Sequence, residues 1–298
     1  MAKINWFPGH MAKGLKELQA EIQKCDYFIE TCDSRLPSIS RNPKFKQLWE
    51  RKKGMLLLTK SDLADPNQTT KWLDHFREQG YTSTLAVDLL NKSDINKIRT
   101  QILKDNEEIL ERAKKRGLRI KPIRVMVNGI PNTGKSTLIN KLTGKNTVKT
   151  SNRPGVTKGI SWLRAGNEFY LMDSPGILWP KIETVKEQLI LAISGAIKDN
   201  VIPMVEVACG LIMILCQLYP DQMSESFELE LPVEPVSTWL QAYQILEEIG
   251  LFWNLVKKGN EIDIERAASR LLIDYRQGKM GRLSLESLDQ ELILPETI

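Results

Sequence analysis

The run Asn128-Gly129-Ile130-Pro131-Asn132-Thr133-Gly134-Lys135-Ser136-Thr137 matches GxxxxGK[ST], and it constrains the fold more than any other stretch of the chain. An apolar run, Ile123–Gly129, precedes it, and an amphipathic one, Lys135–Thr143, follows. This succession predicts a strand, a glycine turn and a helix, the repeating step of an α/β sheet. Gly129 and Gly134 permit the tight turn in which consecutive N–H groups converge on an anion. The helix N-terminus adds roughly half a positive charge. Residues Asn132, Thr133, Gly134, Lys135, Ser136 and Thr137 are thus expected to surround a phosphate chain. Lys135 would reach the β- and γ-phosphates, and the Ser136 hydroxyl would ligate Mg²⁺. The implied ligand is a nucleoside triphosphate.

Which base it carries must be read elsewhere, because such loops serve ATPases, kinases and GTPases alike. Thr59-Lys60-Ser61-Asp62 ends the apolar run Gly54–Thr59 and matches [NT]KxD. The Asp62 carboxylate can accept both the N1–H and a 2-amino hydrogen of guanine, which adenine does not offer. A site built for such pairs rejects an analogue lacking them by a factor on the order of 10⁴. The Lys60 stem can cover the base face. Asp173-Ser174-Pro175-Gly176 matches DxxG, with Asp173 expected to hold Mg²⁺ through water and the Gly176 N–H to touch the γ-phosphate. Between the two lies Thr157, the candidate switch threonine for Mg²⁺ and γ-phosphate. A loop whose backbone meets the guanine O6 is expected after Thr84–Val87. Val87-Asp88 is the choice there, although no Ser-Ala type signature marks it.

In an ordinary G domain the phosphate loop comes first and the guanine motif last. Here the order is reversed: Thr59–Asp62 precedes Gly129–Thr137, and the chain leaves the G motifs just after DxxG. Such a circular permutation can keep every strand in the same sheet. The expected fold class is therefore an α/β P-loop GTPase domain, circularly permuted with TKxD ahead of the P-loop. It spans residues 1–181 with an N-terminal arm, and a small all-α domain, read as RNA-binding, spans 182–298.

The pattern of elements agrees. Strands are expected over Tyr27–Asp33, Gly54–Thr59, Thr84–Val87, Ile123–Gly129, Ile160–Arg164 and Glu168–Asp173. Helices are expected over His10–Lys24, Pro43–Lys52, Thr69–Gly80, Ile95–Arg116 and Lys135–Thr143. After Pro180 the signal turns helical, with Lys186–Lys198, Met204–Leu218, Val236–Leu246 and Ile262–Tyr275 showing i, i+3, i+4 apolar spacing. Leu229–Pro235 reads as a loop.

At 298 residues, 42 % hydrophobic and 27 % charged, the chain has material for such a core. The apolar run Ala208–Cys216 is far short of the about 20 residues that span a bilayer. Met1–Pro8 lacks the apolar region of a secretory signal. A cytoplasmic protein with no membrane partner is expected. Cys25, Cys32, Cys209 and Cys216 form no CxxC pair, so they read as buried apolar residues and not as a zinc site. Net charge is +5, unevenly spread. Arg112–Arg124 carries seven Lys/Arg and no acid, Asp199–Val256 nine Asp/Glu and no base, and Lys257–Arg282 seven bases against four acids. Solvated helical faces would explain each block; a polyanion such as RNA is the sharper reading.

The permuted order resembles that of the circularly permuted GTPases. Among them, the chain looks like the ribosome biogenesis GTPase A type, bacterial factors in maturation of the large ribosomal subunit. The residues that carry this are Trp6-Phe7-Pro8-Gly9-His10-Met11-Ala12-Lys13, Asp33-Ser34-Arg35-Leu36-Pro37, Ser40-Arg41-Asn42-Pro43, Asp173–Pro180, Ser194–Asp199 and Gly281-Arg282-Leu283. The zinc-bearing permuted GTPase of the small subunit fits worse, since this chain has neither its OB-fold nor its Cys/His site. The resemblance implies GTP hydrolysis to GDP and phosphate, slow alone and stimulated by the ribosomal subunit. Ile177 stands where many G proteins carry a water-orienting Gln, and the resemblance points instead to His10 as the catalytic group; a surface histidine in a flexible arm is the plain alternative. Asn132 matches G proteins that use K⁺ beside the phosphates; a loop asparagine that steadies a turn is the alternative. The implied partners are GTP/GDP and the large-subunit precursor with its rRNA, for a monomer off the ribosome that promotes a late assembly step. A nucleotide-gated rRNA-binding module with incidental hydrolysis is the second reading. A P-loop kinase or ATPase is a third, and Asp62 speaks against it.

Overall fold

The structure, a computed structural model, describes residues 21–43, 45, 52–118, 120–144, 161–174, 182, 184–199 and 201–296. Strands β1 (Tyr27–Asp33), β2 (Gly54–Thr59), β3 (Ser83–Val87), β4 (Ile123–Asn128), β5 (Ser161–Ala165) and β6 (Phe169–Asp173) form one sheet in the order β3-β2-β1-β4-β6-β5. All neighbours run parallel except β5, which pairs antiparallel with β6. Every residue of β1 and β2 is buried. Helices on both faces cause this, and it is why these strands read in the sequence as nearly unbroken apolar runs.

On the G-domain side the helices are α1 (Pro66–Arg77), α2 (Lys92–Asp105), α3 (Glu107–Lys115) and α4 (Lys135–Thr143). Ile98 and Ile102 of α2, with Leu138 and Leu142 of α4, pack on one face of the sheet against Ile29, Leu57 and Val125. Trp72 and Phe76 of α1 pack on the other, against Leu56 and Leu58. The strands fall within a residue of their expected limits. Ile95–Arg116, expected as one helix, is two, because the buried Asn106 amide donates to Ile102 O at 2.8 Å and closes α2. The helix expected over Thr69–Gly80 starts earlier, where the Asp65 carboxylate caps the N–H groups of Asn67 and Gln68 ahead of Pro66. The expected helix Pro43–Lys52 falls largely outside the described residues. Of His10–Lys24 only the end is described, with a 3-10 turn at Ile22–Lys24.

The C-terminal part contributes α5 (Val185–Ile193), α6 (Met204–Leu218), α7 (Pro220–Phe227), α8 (Trp239–Phe252) and α9 (Ile264–Arg276). Helix α6 is buried from Val207 to Cys216 and forms the axis of this cluster, with α5, α8 and α9 around it. Three helices differ from expectation: α8, expected over Val236–Leu246, starts after the Thr238 cap and runs on to Phe252. Helix α5 stops at Ile193 and not Lys198, because Gly195 turns left-handed (φ +76) and the Ala196 N–H bonds back to Leu191 O. Helix α7, started by Pro220 at its first position, was not anticipated. The two parts share material: Leu191 packs with Phe28, Met126 and Met172 under the sheet, while Leu189 and Ile190 join the helical cluster. The four cysteines are buried thiols. No single helix among the described residues is long and apolar enough to cross a membrane.

Candidate functional site

Strand β4 delivers the phosphate loop. At Gly129 a Cβ would lie 2.5 Å from the Thr31 carbonyl oxygen, so no side chain fits. Gly134 is left-handed (φ +85) and opens α4. The buried Lys135 ammonium donates to Ile130 O at 2.7 Å, a backbone acceptor within its own loop. Burial lowers its pKa to about 8, against the pull of Asp173. Asp173 ends β6, paired in register with Val127 of β4. Burial pushes its carboxyl up to about 6, with Lys135 opposing. Its Oδ1 is buried without a hydrogen-bond partner among the described residues. A lone buried carboxylate oxygen beside an anion loop is the setting for a cation, and with the Ser136 hydroxyl and phosphate oxygens it makes the hard oxygen donor set of Mg²⁺. The residues present fit that ion.

Strand β2 delivers the guanine motif to the same edge of the sheet. Thr59 Oγ1 lies 3.0 Å from both Thr133 O and Cys32 O, so one fully buried hydroxyl joins segments 74 positions apart. The Ser61 N–H donates to Val87 O at 3.2 Å, which brings the end of β3 alongside. Asp62 is exposed, and its pKa is raised by partial burial and then by the nearby Asp88 carboxylate. Val87 is buried, and Asp88 is spent on closing its own turn. Its carboxylate accepts the Leu90 N–H at 2.7 Å, and its N–H donates to the Asp94 carboxylate at 2.9 Å. Asp88 therefore shapes the base loop through its side chain, and its own N–H is committed to Asp94.

Asn132, left-handed at φ +64, donates its side-chain amide to Gly195 O at 2.5 Å. The phosphate loop thereby meets the residue that terminates α5. Helix α9 adds Ile273, Arg276 and Gln277, and a cleft of about 520 Å³ runs between these residues and the Lys135–Thr137 segment. Arg276 is held in that wall by Ala192 O and Ile193 O at 2.8 Å and by the Asp199 carboxylate at 2.7 Å. Three residues of weight lie here beyond those expected as ligands. Leu89, buried, packs against Gly134, where a Cβ would meet its Cδ1 at 2.9 Å; its place just past the end of β3 was the available signal. Arg35 and Arg276 line the cleft, and only their motifs, Asp33–Pro37 and the basic block, marked them. Within the basic block Lys257–Arg282, Arg276 and Arg282 turn inward onto the protein, while Lys257, Arg270 and Lys279 pair with Asp263 and Asp274 at its surface. His10, Thr157 and Gly176 lie outside the described residues.

A family model described as "50S ribosome-binding GTPase" matches residues 124–228. Among curated relatives, "Ribosome biogenesis GTPase A" of Bacillus licheniformis is 38 % identical over 287 residues, covering 95 % of this chain and 98 % of that one. The protein of the same name from Bacillus pumilus is 37 % identical over 284 residues, again 95 % and 98 %. Among solved structures, GNP-bound YlqF from T. maritima superposes with a TM-score of 0.62 at 25 % identity, covering 92 % of this chain and 98 % of that one.

Proposed function

This chain belongs to the ribosome biogenesis GTPase A family of circularly permuted GTPases, which hydrolyse GTP, and from that premise we propose that it binds the immature large (50S) ribosomal subunit in its GTP form. It promotes a late assembly step there and leaves as GTP is hydrolysed to GDP and phosphate. The observation that carries the reading is the Thr59 hydroxyl beside Thr133 O, which supports one pocket shared by the guanine motif and the phosphate loop.

In this reading Lys60 covers the base, Asp62 pairs with its N1–H and 2-amino hydrogens, and the backbone at Ser61, Val87 and Asp88 shapes the O6 end. Asn132–Thr137 wrap the phosphates, with Lys135 exchanging its bond to Ile130 O for phosphate oxygens. Ser136 and Asp173 hold Mg²⁺, joined by Thr157; Gly176 meets the γ-phosphate, and Asn132 faces K⁺. When bound, Mg²⁺ supplies charge neutralisation at the β- and γ-phosphates. His10 on the N-terminal arm orients the attacking water. Residues 1–181 act as the G domain and 182–298 as the helical domain, which with Arg112–Arg124 faces rRNA. The protein acts in the cytoplasm as a monomer between encounters.

Intrinsic turnover on the order of 10⁻⁴ s⁻¹, raised up to about 10⁵-fold by the subunit, is the scale for switches that lack a complete site of their own. Co-sedimentation with immature and mature 50S particles in GTP, GDP and a non-hydrolysable analogue, with single-turnover hydrolysis alongside, tests the proposal. Binding that ignores the nucleotide would refute it. Nucleotide-dependent binding without stimulated hydrolysis would make the protein a gated RNA-binding module.

A further inference from the structure

Two motifs that the nucleotide chemistry leaves unused, Asp33-Ser34-Arg35 and Gly281-Arg282-Leu283, converge on the same short loop, Lys60–Ala64. That loop holds itself poorly. Lys60 is a non-glycine residue at φ +58, a conformation that costs roughly 1–2 kcal/mol. Its backbone is tied to the sheet by the Ser61 N–H to Val87 O and closed on itself by a turn from Leu63 N–H to Lys60 O.

The helical half supplies much of the rest. Arg282 spans two loop carbonyls, its Nη2 donating to Ser61 O and its Nε to Ala64 O, both at 2.9 Å. The Leu283 N–H donates to Leu63 O at 3.1 Å, and Ser284 Oγ accepts the Asp65 N–H at 3.2 Å. The Leu63 side chain rests on Gly278, where a Cβ would sit 2.5 Å from Leu63 Cδ2. From the sheet side, the Lys60 ammonium bonds Asp33 Oδ2 at 2.8 Å. Asp33 is in turn gripped by Arg35 through Nε at 3.0 Å and Nη2 at 2.8 Å. Arg35, almost fully buried, spends its remaining nitrogen on Tyr275 O at the end of α9, at 3.3 Å. Burial works against the ionised Asp33, but Arg35 and Lys60 outweigh it and hold the carboxyl far below its usual range.

We propose that Arg282 and Arg35 are positioning residues for base recognition: the end of α9 and the turn after it hold the Lys60–Ala64 loop in the geometry that reads guanine. This rests on the reading of Thr59–Asp62 as the guanine-binding segment. The turn after α9 then sets affinity for the base and not for the phosphates, whose loop meets the helical half elsewhere, at Gly195 through Asn132. Coupling of this kind is reciprocal, so base binding must tighten the same turn.

The test uses the full-length protein and separates the two ends of the ligand. Arg282 is exposed, so Arg282→Ala removes its two bonds without opening the core. Loss of hydrogen bonds from a charged donor predicts a GDP dissociation constant raised by about 10-fold or more. The dissociation constant for Mg²⁺-pyrophosphate, read by competition, should stay within twofold. Arg282→Lys, which can still meet one of the two carbonyls, and Arg35→Lys should fall between. Pyrophosphate affinity weakening in step with GDP would mean general loosening and would overturn the proposal, as would unchanged GDP affinity. A second arm needs no clamp variant. GDP should slow hydrogen exchange at the Leu283 amide more than pyrophosphate does, and equal protection would overturn the coupling. Asp62→Asn keeps the two failures apart, because it should transfer preference from guanine to xanthine nucleotides whatever Arg282 does. If it leaves the preference unchanged, the guanine reading itself falls; if it switches while Arg282→Ala is silent, only the clamp falls.

Discussion

Glu286 offers a stability prediction whose size follows from its surroundings. It lies in the tail after α9, only 6 % exposed, and its carboxylate accepts the N–H groups of Ser38 at 2.7 Å and Ile39 at 3.2 Å. Burial pushes its pKa from 4.5 up to about 7, against those two N–H groups and the more distant Lys186 and Arg41. The folded protein therefore keeps a proton that the unfolded chain has released. Stability from this group is fully present below about pH 4.5 and is lost as the pH rises through about 7. At about 1.4 kcal/mol per pH unit between the two values, the loss amounts to ~3 kcal/mol, of which about 2.5 falls between pH 5 and 8. Glu286→Gln is neutral at every pH and cannot show it. Its amide stands in for the protonated carboxyl, since its oxygen can take the place of Oε2, which accepts both N–H groups. Urea unfolding of both proteins at half-unit steps from pH 5 to 8 reads the difference directly, and every other titrating group cancels in it. Against Glu286→Gln the wild type should lose about 2–3 kcal/mol between pH 5 and pH 8. Parallel profiles would refute the assignment and return Glu286 to an ordinary ionised carboxylate.

Three further outcomes are expected. Thr59→Val leaves a buried carbonyl without its donor and should cost about 1–3 kcal/mol of stability together with GDP affinity; unchanged melting and binding would sever the proposed link between base and phosphate loops. His10→Ala should lower subunit-stimulated hydrolysis by about 10²–10⁴-fold while GTP affinity is retained, and an unaltered stimulated rate removes His10 from the mechanism. Hydrolysis should be faster in K⁺ than in Na⁺ at equal ionic strength, with the advantage lost in Asn132→Ala; equal rates in the wild type would dismiss the cation role.

Much of the site was legible because its chemistry is local. A glycine turn between an apolar strand and a helix binds phosphate wherever it stands, and a carboxylate just past a strand end is aimed by that strand. Gly129–Thr137, Thr59–Asp62 and Asp173 could be read in this way, and the unbroken apolar runs of β1 and β2 announced a sheet covered on both faces. The base loop was less legible. The contact expected there is through backbone, and the backbone is held by an aspartate turned onto its own turn, from Asp88 to Leu90 and Asp94.

By itself, then, the amino-acid order determined which strands form and that the G motifs are permuted, since each depends on neighbours within a few residues. Only the tertiary structure decided which distant groups meet. Arg276 looked like a charge available to a polyanion, yet it is consumed by backbone carbonyls and a carboxylate from another part of the chain, and Arg35 is spent on Asp33 and the end of α9. Helix α5 ends at Gly195, which hands its carbonyl to Asn132, and the turn after α9 closes on the guanine loop. A hydrogen bond is chosen by proximity and by what else is left unpaired at the same spot. Neither is written into a stretch of sequence, because both exist only after the sheet and the helices have packed.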